Sequence, residues 1–405
     1  MVASSSAPAW GFCRELLNVI QPLKVIQPWR SKLGGFGVIA LLMVLANPAQ
    51  ALELRVAIEE NASRVQVGAS TDAVVKTTSG QTLGQLQRMG GNDAQVQQGK
   101  VSLGPWKASQ VWVEPSEDGL IWIGDRWYRG RVLLTPSSNG LTAVNYVDLE
   151  EYLYSVVASE MPASWNLEAL KAQAVAARSY ALNKQQKTAS GLYDVQDTTA
   201  SQVYKGVAAE TESTREAVRS TDSQVLTYSG KVIEAVFHSS SGGHTENSEN
   251  VWSSALPYLR GVPDFDQNAP VFQWSQQFSE PQLRSKLAAQ FGQDIYNVGN
   301  IIAIAPAVSS PHGRLKTLSV QGDRGSRTLN ASQVRQALGL RSTLFTANPT
   351  GASKASGNSF VFQGRGFGHG IGMSQYGAKG MAEQGNSYKQ ILGHYYSNAA
   401  LSEMQ

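Results

Sequence analysis

The sequence predicts an α+β protein built mainly of antiparallel sheet. Three observations carry this. Apolar and polar residues alternate with period two across 52–77 and 110–147. Two segments of helical period follow between Asp148 and Leu182. Beyond them strands and helices come in runs, without the strict alternation that a parallel sheet requires. With 405 residues the chain is long enough for two or three domains and ample burial. The expected divisions are a leader (1–51), a β-rich region (52–135) and an α+β region (136–405).

The leader comes first. Arg14, Lys24, Arg30 and Lys32 precede an apolar run, Phe36 to Ala46, and Ala49-Gln50-Ala51 has the A-x-A form of a cleavage site. This predicts a secretory signal peptide with a long n-region, cut after Ala51, and a mature protein exported to periplasm or cell wall. The run is shorter than the ~20 residues of a spanning helix, so membrane attachment is expected only through an uncleaved leader. The leader holds four basic residues and one acid, which leaves 30 of each sign in the mature chain. Such a balance calls for no nucleic acid and no anionic membrane as partner. Cys13, the only cysteine, lies upstream of the leader's apolar core and so is no lipobox cysteine. A cysteine-free mature chain excludes disulfides, a thiolate nucleophile and thiolate metal ligands.

Taken in order, 52–77 reads as short antiparallel strands, whereas the polar, Gln-rich stretch 78–109 reads as loops. QVWVEP, GLIWIGD, RVLLT and LTAVNYV are strands separated by Gly, Pro and Asn turns. After the helical pair come a strand within AVRSTDSQVLTY, a strand VIEAVF (232–237), a helix PQLRSKLAAQF (281–291), strands IIAIAPAV and LKTLSVQ, and a short helix ASQVRQALG. ANPTGASKASGNS (347–359) reads as a loop before the strand FVFQG, and Ser374, Gln375 and Tyr376 open a helix toward Met381.

The helical pair carries the sharpest chemistry. Asp148 and Glu151 form a D-x-x-E helix start close to a capping box, followed by Leu149, Tyr152, Leu153, Val156 and Val157 on one face. Met161-Pro162 stops this helix, because a residue before proline avoids the helical region. Asn166 caps the next, on which Lys171 and Arg178 lie seven apart on one side. Glu160 therefore sits at a helix C-terminus, where the dipole disfavours negative charge. Val157, Met161 and Trp165 add an apolar setting that raises its pKa further. A carboxyl kept protonated near neutral pH can protonate a leaving group. Taken alone, a glutamate at a helix end is most often simply solvated.

Two further segments are candidates. His238-Ser-Ser-Ser-Gly-Gly-His244 follows a strand, and its small polar residues place donors beside a cleft, with His238, Ser239, Ser240, Ser241 and Gly242 as substrate contacts. A polar turn is the plainer reading, and no G-x-S-x-G elbow supports a Ser/His hydrolase. The alternating glycines of 364–372 lack the βαβ unit or lysine of a nucleotide loop. They read as a turn or as a saccharide-lining loop, with His369, Gly370, Ser374 and Gln375 beside it. Trp165, Trp252 and Tyr376 are the rings suited to stacking on sugars. His238, His244, His369 and His394 are four potential metal ligands. Asp197 and Thr198 fit turns, and His312 an exposed loop.

YLYSVVASEMPASWNLEALKAQAVAARSYAL closely resembles the signature of the SpoIID/LytB family, named for stage II sporulation protein D and an amidase enhancer. DTTASQVYKG (197–206), FHSSSGGHTENSENVW (237–252), PYLRGVP (257–263) and GRGFGHGIGMSQYGAKGMA (364–382) match in the same order. The resemblance implies a SpoIID-like catalytic domain over 136–405 with a glycan-binding cleft. It also implies an exported peptidoglycan lytic transglycosylase with Glu160 as acid/base. Lys171, Arg178, His238, Ser239, Ser240, Gly242, His369, Gly370, Ser374 and Gln375 are the sugar-binding candidates. Some members bind zinc through cysteines and a histidine after the second helix. Here those positions read Gln196, Ala200 and Ser201, so no metal and no cofactor is expected. The expected partners are peptidoglycan glycan strands and a cell-wall amidase. Two alternatives stand beside this reading: a non-catalytic, glycan-binding enhancer of an N-acetylmuramoyl-L-alanine amidase, and a hydrolytic muramidase using Asp148, Glu246 or Glu249 as second acid.

Overall fold

Strand Glu53–Ala62 opens the fold by pairing antiparallel with Gly140–Asp148 and parallel with the short Val195–Gln196. The computed structural model describes residues 52–350 and 359–404, so the leader with its cleavage site and most of the loop 347–359 fall outside it. The first sheet has seven strands, in the order Val195–Gln196, Glu53–Ala62, Gly140–Asp148, Arg131–Ser137, Val111–Pro115, Ala73–Thr77 and Thr82–Leu86. A second, six-stranded sheet runs Arg126–Tyr128, Ile121–Ile123, Val65–Ala69, Gly91–Gln97, Lys100–Leu103 and Trp106–Ala108. Every pairing between long strands is antiparallel, as the α+β class requires.

Residues 78–109 correct the loop assignment, for they contribute four of these strands. Glutamine and glycine fill the outward positions and hide the alternation, while Leu86, Ala94, Val101 and Leu103 point inward and are buried. The two sheets share one core with the helices that follow. A boundary at 135/136 falls inside strand Arg131–Ser137 and inside that core.

Helix α1 (Leu149–Glu160) starts where Asp148 Oδ1 accepts the Glu150 and Glu151 amides, at 2.9 and 3.1 Å. Helix α2 (Leu167–Lys187) starts where Asn166 accepts the Glu168 amide at 2.9 Å. Each cap is worth roughly 1 kcal/mol. From Ala169 to Leu182 almost all of α2 is buried, not one stripe of it. Its alanines let α1, α3 (Glu212–Arg219) and strand Gln224–Tyr228 approach closely on several sides. VIEAVF is a strand only at its ends. Lys231–Val232 joins one sheet and Phe237–His238 another, and the residues between turn with short Ala235→Ile233 and Val236→Glu234 bonds.

After the short α4 (Ser248–Val251), the chain builds a second core around Leu283, Leu287, Ile301, Leu318, Val334, Phe360 and Phe362. Helices α5 (Glu280–Phe291), α6 (Gln293–Val298) and α7 (Ala331–Leu338) pack there on two three-stranded antiparallel sheets. One sheet runs Ile301–Ser309, Leu315–Gly322 and Gly325–Asn330; the other runs Gln273–Ser279, Ser359–Arg365 and Phe345–Thr350. The chain then returns to the first core through α8 (Gln375–Glu383), α9 (Tyr388–Tyr395) and strand Ala400–Glu403. No helix of the described residues is long and apolar enough to cross a membrane.

Candidate active site

Glu160 is the last residue of α1, and Met161, extended before Pro162, ends the helix there. Its carboxyl is mostly buried. Oε1 accepts the Val203 amide at 3.0 Å, and Oε2 accepts Gln375 Nε2 at 3.1 Å. Burial raises its pKa; the two hydrogen bonds and the Lys205 charge oppose that without cancelling it. Among the described residues no second carboxylate acts on its charge.

The Val203 amide reaches Glu160 because burial alternates from Gln202 to Gly206. Gln202 is buried, accepting Tyr152 Oη at 3.2 Å, and Tyr204 is buried, donating to Asn145 at 3.1 Å. The odd residues then aim their amides at α1: Val203 to Glu160, and Lys205 to Ser155 Oγ at 3.2 Å. Neither Val203 nor Lys205 was picked out from sequence, since a backbone donor has no residue-type signal. Gln375 was, and it is the sequence candidate that touches Glu160. Ser374, buried, caps α8 by accepting the Gly377 amide at 3.2 Å, which sets Gln375 at the helix start. Tyr376, next to Gln375 in the chain, packs on Trp165 with ring centroids 4.9 Å apart.

His238 and Ser374 are register partners on the parallel pair Phe237–His238 and Met373–Ser374. His369 Nε2 donates to the Phe237 carbonyl at 3.0 Å and its Nδ1 accepts the Ile371 amide at 3.1 Å. Burial pushes its pKa down to about 4, so the ring is neutral and both nitrogens are engaged. His238, buried, donates Nδ1–H to the Ile371 carbonyl at 3.1 Å, leaving Nε2 without a partner among the described residues. Burial holds its pKa well below the usual histidine value. Both imidazoles are suited to positioning, not to proton transfer near neutral pH. Trp252, partly exposed, lies 5.7 Å from the His369 ring.

Several sugar-binding candidates have other work. The Arg178 side chain is wholly enclosed, with Nε and Nη2 at 2.7 and 2.6 Å from Glu150 and Nη1 on the Gln224 carbonyl at 3.0 Å. It braces α2 against α1 and cannot meet substrate. Lys171 is held by Glu168 at 3.0 Å on its own helix, beside Tyr388. Ser240 Oγ and the Gly242 amide, both buried, bind Asp266 Oδ2 at 2.5 and 2.8 Å, and Ser241 binds Asp264 at 2.5 Å. Ser239 is half-buried, and its carbonyl accepts the Tyr376 amide at 3.0 Å.

The glycine loop also differs from a ligand-facing loop. Gly366, Gly368, Gly370 and Gly372 all have left-handed φ, and all face inward. A Cβ on Gly370 would stand 2.2 Å from Arg314 Cζ. Between these glycines Phe367 turns outward. Arg314, unanticipated from sequence, is buried beneath this loop and donates to the Ser241 carbonyl at 2.7 Å. Burial lowers its pKa to about 10. The candidate second acids are occupied: Asp148 caps α1, Glu246 accepts from Ser310 and Asn250, and Glu249 pairs with Arg260.

Among the described residues no His/Asp/Glu cluster has the arrangement of a metal site. His244 and His312 stack face to face at 3.7 Å, and His394 donates to the Pro263 carbonyl at 2.8 Å. The segment holding Gln196, Ala200 and Ser201 closes on itself through Gln196 N–Ser201 Oγ (3.1 Å) and Ser201 N–Thr198 O (3.0 Å). Arg55 clamps its start through Asp194 at 2.6 Å. Elemental analysis of the purified protein is therefore expected to find no stoichiometric zinc, and chelators should leave activity intact; one equivalent lost together with activity would refute this.

Residues 137–228 match the family model described as Stage II sporulation protein, and residues 247–372 match a domain of unknown function. The chain is 39% identical to Stage II sporulation protein D of Bacillus amyloliquefaciens, over 64% of this chain and 76% of that one. It is 37% identical to Stage II sporulation protein D of Bacillus subtilis (strain 168), with the same two coverages of 64% and 76%. It is 35% identical to the amidase enhancer of Bacillus subtilis (strain 168), over 62% of this chain and 40% of that protein. Long, ordered matches of this kind identify the chain as a member of the stage II sporulation protein D (SpoIID) family.

Proposed function

We propose that this protein is an exported cell-wall enzyme, a peptidoglycan lytic transglycosylase that cleaves the MurNAc–GlcNAc bond without water. One observation carries the reading: Glu160 is a mostly buried carboxyl with a raised pKa, held in place by Val203 and Gln375, with no carboxylate partner among the described residues. Ordinary glycosidases need two acids, one for the leaving group and one for water or nucleophilic attack. Here the nucleophile is the muramyl C6 hydroxyl. Glu160 protonates the glycosidic oxygen as its bond to C1 breaks, then takes the proton from the C6 hydroxyl as that oxygen bonds to C1. The proton lost is the proton regained, and the product is a 1,6-anhydro end. Gln375 orients Oε2, the Trp165–Tyr376 pair offers a stacking surface, and His238 and His369 hold the wall of the site.

The amidase enhancer among the relatives favours a second reading, in which the cleft grips glycan without cutting it and stimulates a cell-wall amidase. Mass spectrometry of products released from purified sacculi separates the two. Anhydro-muramyl ends are expected. No cleavage together with a stimulated amidase would establish the enhancer, and reducing ends would point to hydrolysis.

A further inference from the structure

Asp264, buried on the loop between α4 and the second core, ties three segments together. Its Oδ2 accepts Ser241 Oγ at 2.5 Å, from the segment after strand Phe237–His238. Its Oδ1 accepts the Tyr395 hydroxyl at 2.6 Å, from the last residue of α9, and the Phe265 amide at 2.8 Å. The third segment is the first turn of α8. A Cβ on Gly377 would stand 1.8 Å from Asp264 Oδ1 and 2.1 Å from Tyr395 Oη. One turn on, a Cβ on Gly380 would stand 2.3 Å from the Phe265 carbonyl oxygen. Both glycines are ordinary helical residues, so what they supply is close approach, not a special φ. The carboxylate thus seats against the helix where a side chain would otherwise be, at the end whose dipole favours an anion.

That turn carries Gln375, two residues before Gly377, which donates to Glu160 Oε2 at 3.1 Å. Ser374 Oγ and the Ser239 carbonyl also hold the start of α8, by accepting the Gly377 and Tyr376 amides. Without Asp264 the helix would therefore still form, but its first turn would lose the contact that ties it to Ser241 and Tyr395. We propose that Asp264 is a positioning residue for Glu160, holding the first turn of α8 where Gln375 reaches Oε2. The proposal rests on the acid/base reading of Glu160, and the contact it concerns is measurable without turnover. The titratable groups around Glu160 are Lys205, Tyr152 and Tyr180; those around Asp264 are Asp266, Arg314 and Tyr395.

The test titrates Glu160 itself in the full chain, by carbon NMR of labelled glutamate carboxyls, with its signal assigned from Glu160→Gln. The Gln375 bond favours the charged carboxyl, so weakening it makes Glu160 keep its proton to higher pH. Asp264→Asn is expected to move the titration upward in pH, and so is Gly377→Ala, whose methyl displaces the carboxylate from the helix side. Neither should move it further in a Gln375→Ala background, because both act through Gln375. For anhydro-product formation, kcat should fall about two- to ten-fold, the scale of one hydrogen bond, with KM changed less than about two-fold. A residue that only supports the fold would lower the melting temperature and leave the titration in place. That result overturns the proposal, as does an equal shift in both backgrounds. Tyr395→Phe, which removes one donor to Oδ1, is read in the same way if Asp264→Asn does not fold. If the titration shifts but wild type makes no anhydro ends, the positioning role stands and the lytic reading falls. If wild type makes them and the titration stays put, the reverse holds.

Discussion

Glu160→Gln is expected to remove anhydro-muramyl product while leaving fold and glycan binding in place. Glutamine keeps the size and shape of the side chain and can still meet Val203 and Gln375, but it cannot shuttle a proton. General acid–base groups contribute about 10²–10⁴-fold, and loss of a sole acid/base should fall at the upper end or beyond. Near-normal turnover by this variant would overturn the mechanism. In the wild type, activity should fall at low pH as Glu160 loses its role as base, and at high pH as it loses its role as acid. The folded-state pKa of Glu160 is raised by burial, so its contribution is fully present below the unfolded pKa and is lost as pH rises through the folded value. At neutral pH the charged form costs stability, and Glu160→Gln should melt no lower than wild type. A melting temperature well below wild type at neutral pH would show that the carboxylate is a net structural anchor.

Arg178→Met is expected to produce the largest loss of stability. It removes a guanidinium wholly enclosed between α2, Glu150 and the Gln224 carbonyl, and strands Glu150 without its counter-ion. Breaking a buried pair from one side costs about 3–5 kcal/mol; with one-fifth of the Glu150 side chain still exposed, about 3 kcal/mol is the better figure. Adding Glu150→Gln should recover part of that, because the stranded charge is gone. Denaturant unfolding of the two single variants and the double variant measures the coupling. A loss under about 1 kcal/mol, the scale of an exposed pair, would reject the bracing role. If Arg178→Met instead unfolds normally but loses glycan affinity, the sugar-binding role expected from sequence is restored.

The comparison between these two residues shows how far local sequence reaches. Both lie on well-patterned helices, and both look like site residues by spacing. The place of Glu160 could be read because its setting is local: a helix end, a following Met-Pro, and apolar neighbours within five positions. Arg178 could not, because what encloses it comes from Glu150 and Gln224, 28 and 46 residues away. The engagement of Ser240 and Gly242 was hidden for the same reason: their acid, Asp266, sits on a different loop. The strands in 78–109 escaped because solvent-facing glutamines diluted an alternation that only the buried face of a sheet enforces.

What the sequence determined by itself was the α+β class, both caps of the central helix pair, the place of Glu160 at the end of α1 and the start of the helix bearing Gln375. Each follows from interactions within a turn or two of chain, where residue type and spacing govern backbone geometry directly. Tertiary structure alone decided which donors hold Glu160, which way the glycines of 366–372 face, and that Arg314 lies buried beneath them. Those outcomes depend on groups tens to hundreds of residues apart, joined by burial. Val203 and Gln375, 43 and 215 positions from Glu160, meet its carboxyl only because the first core brings their segments together.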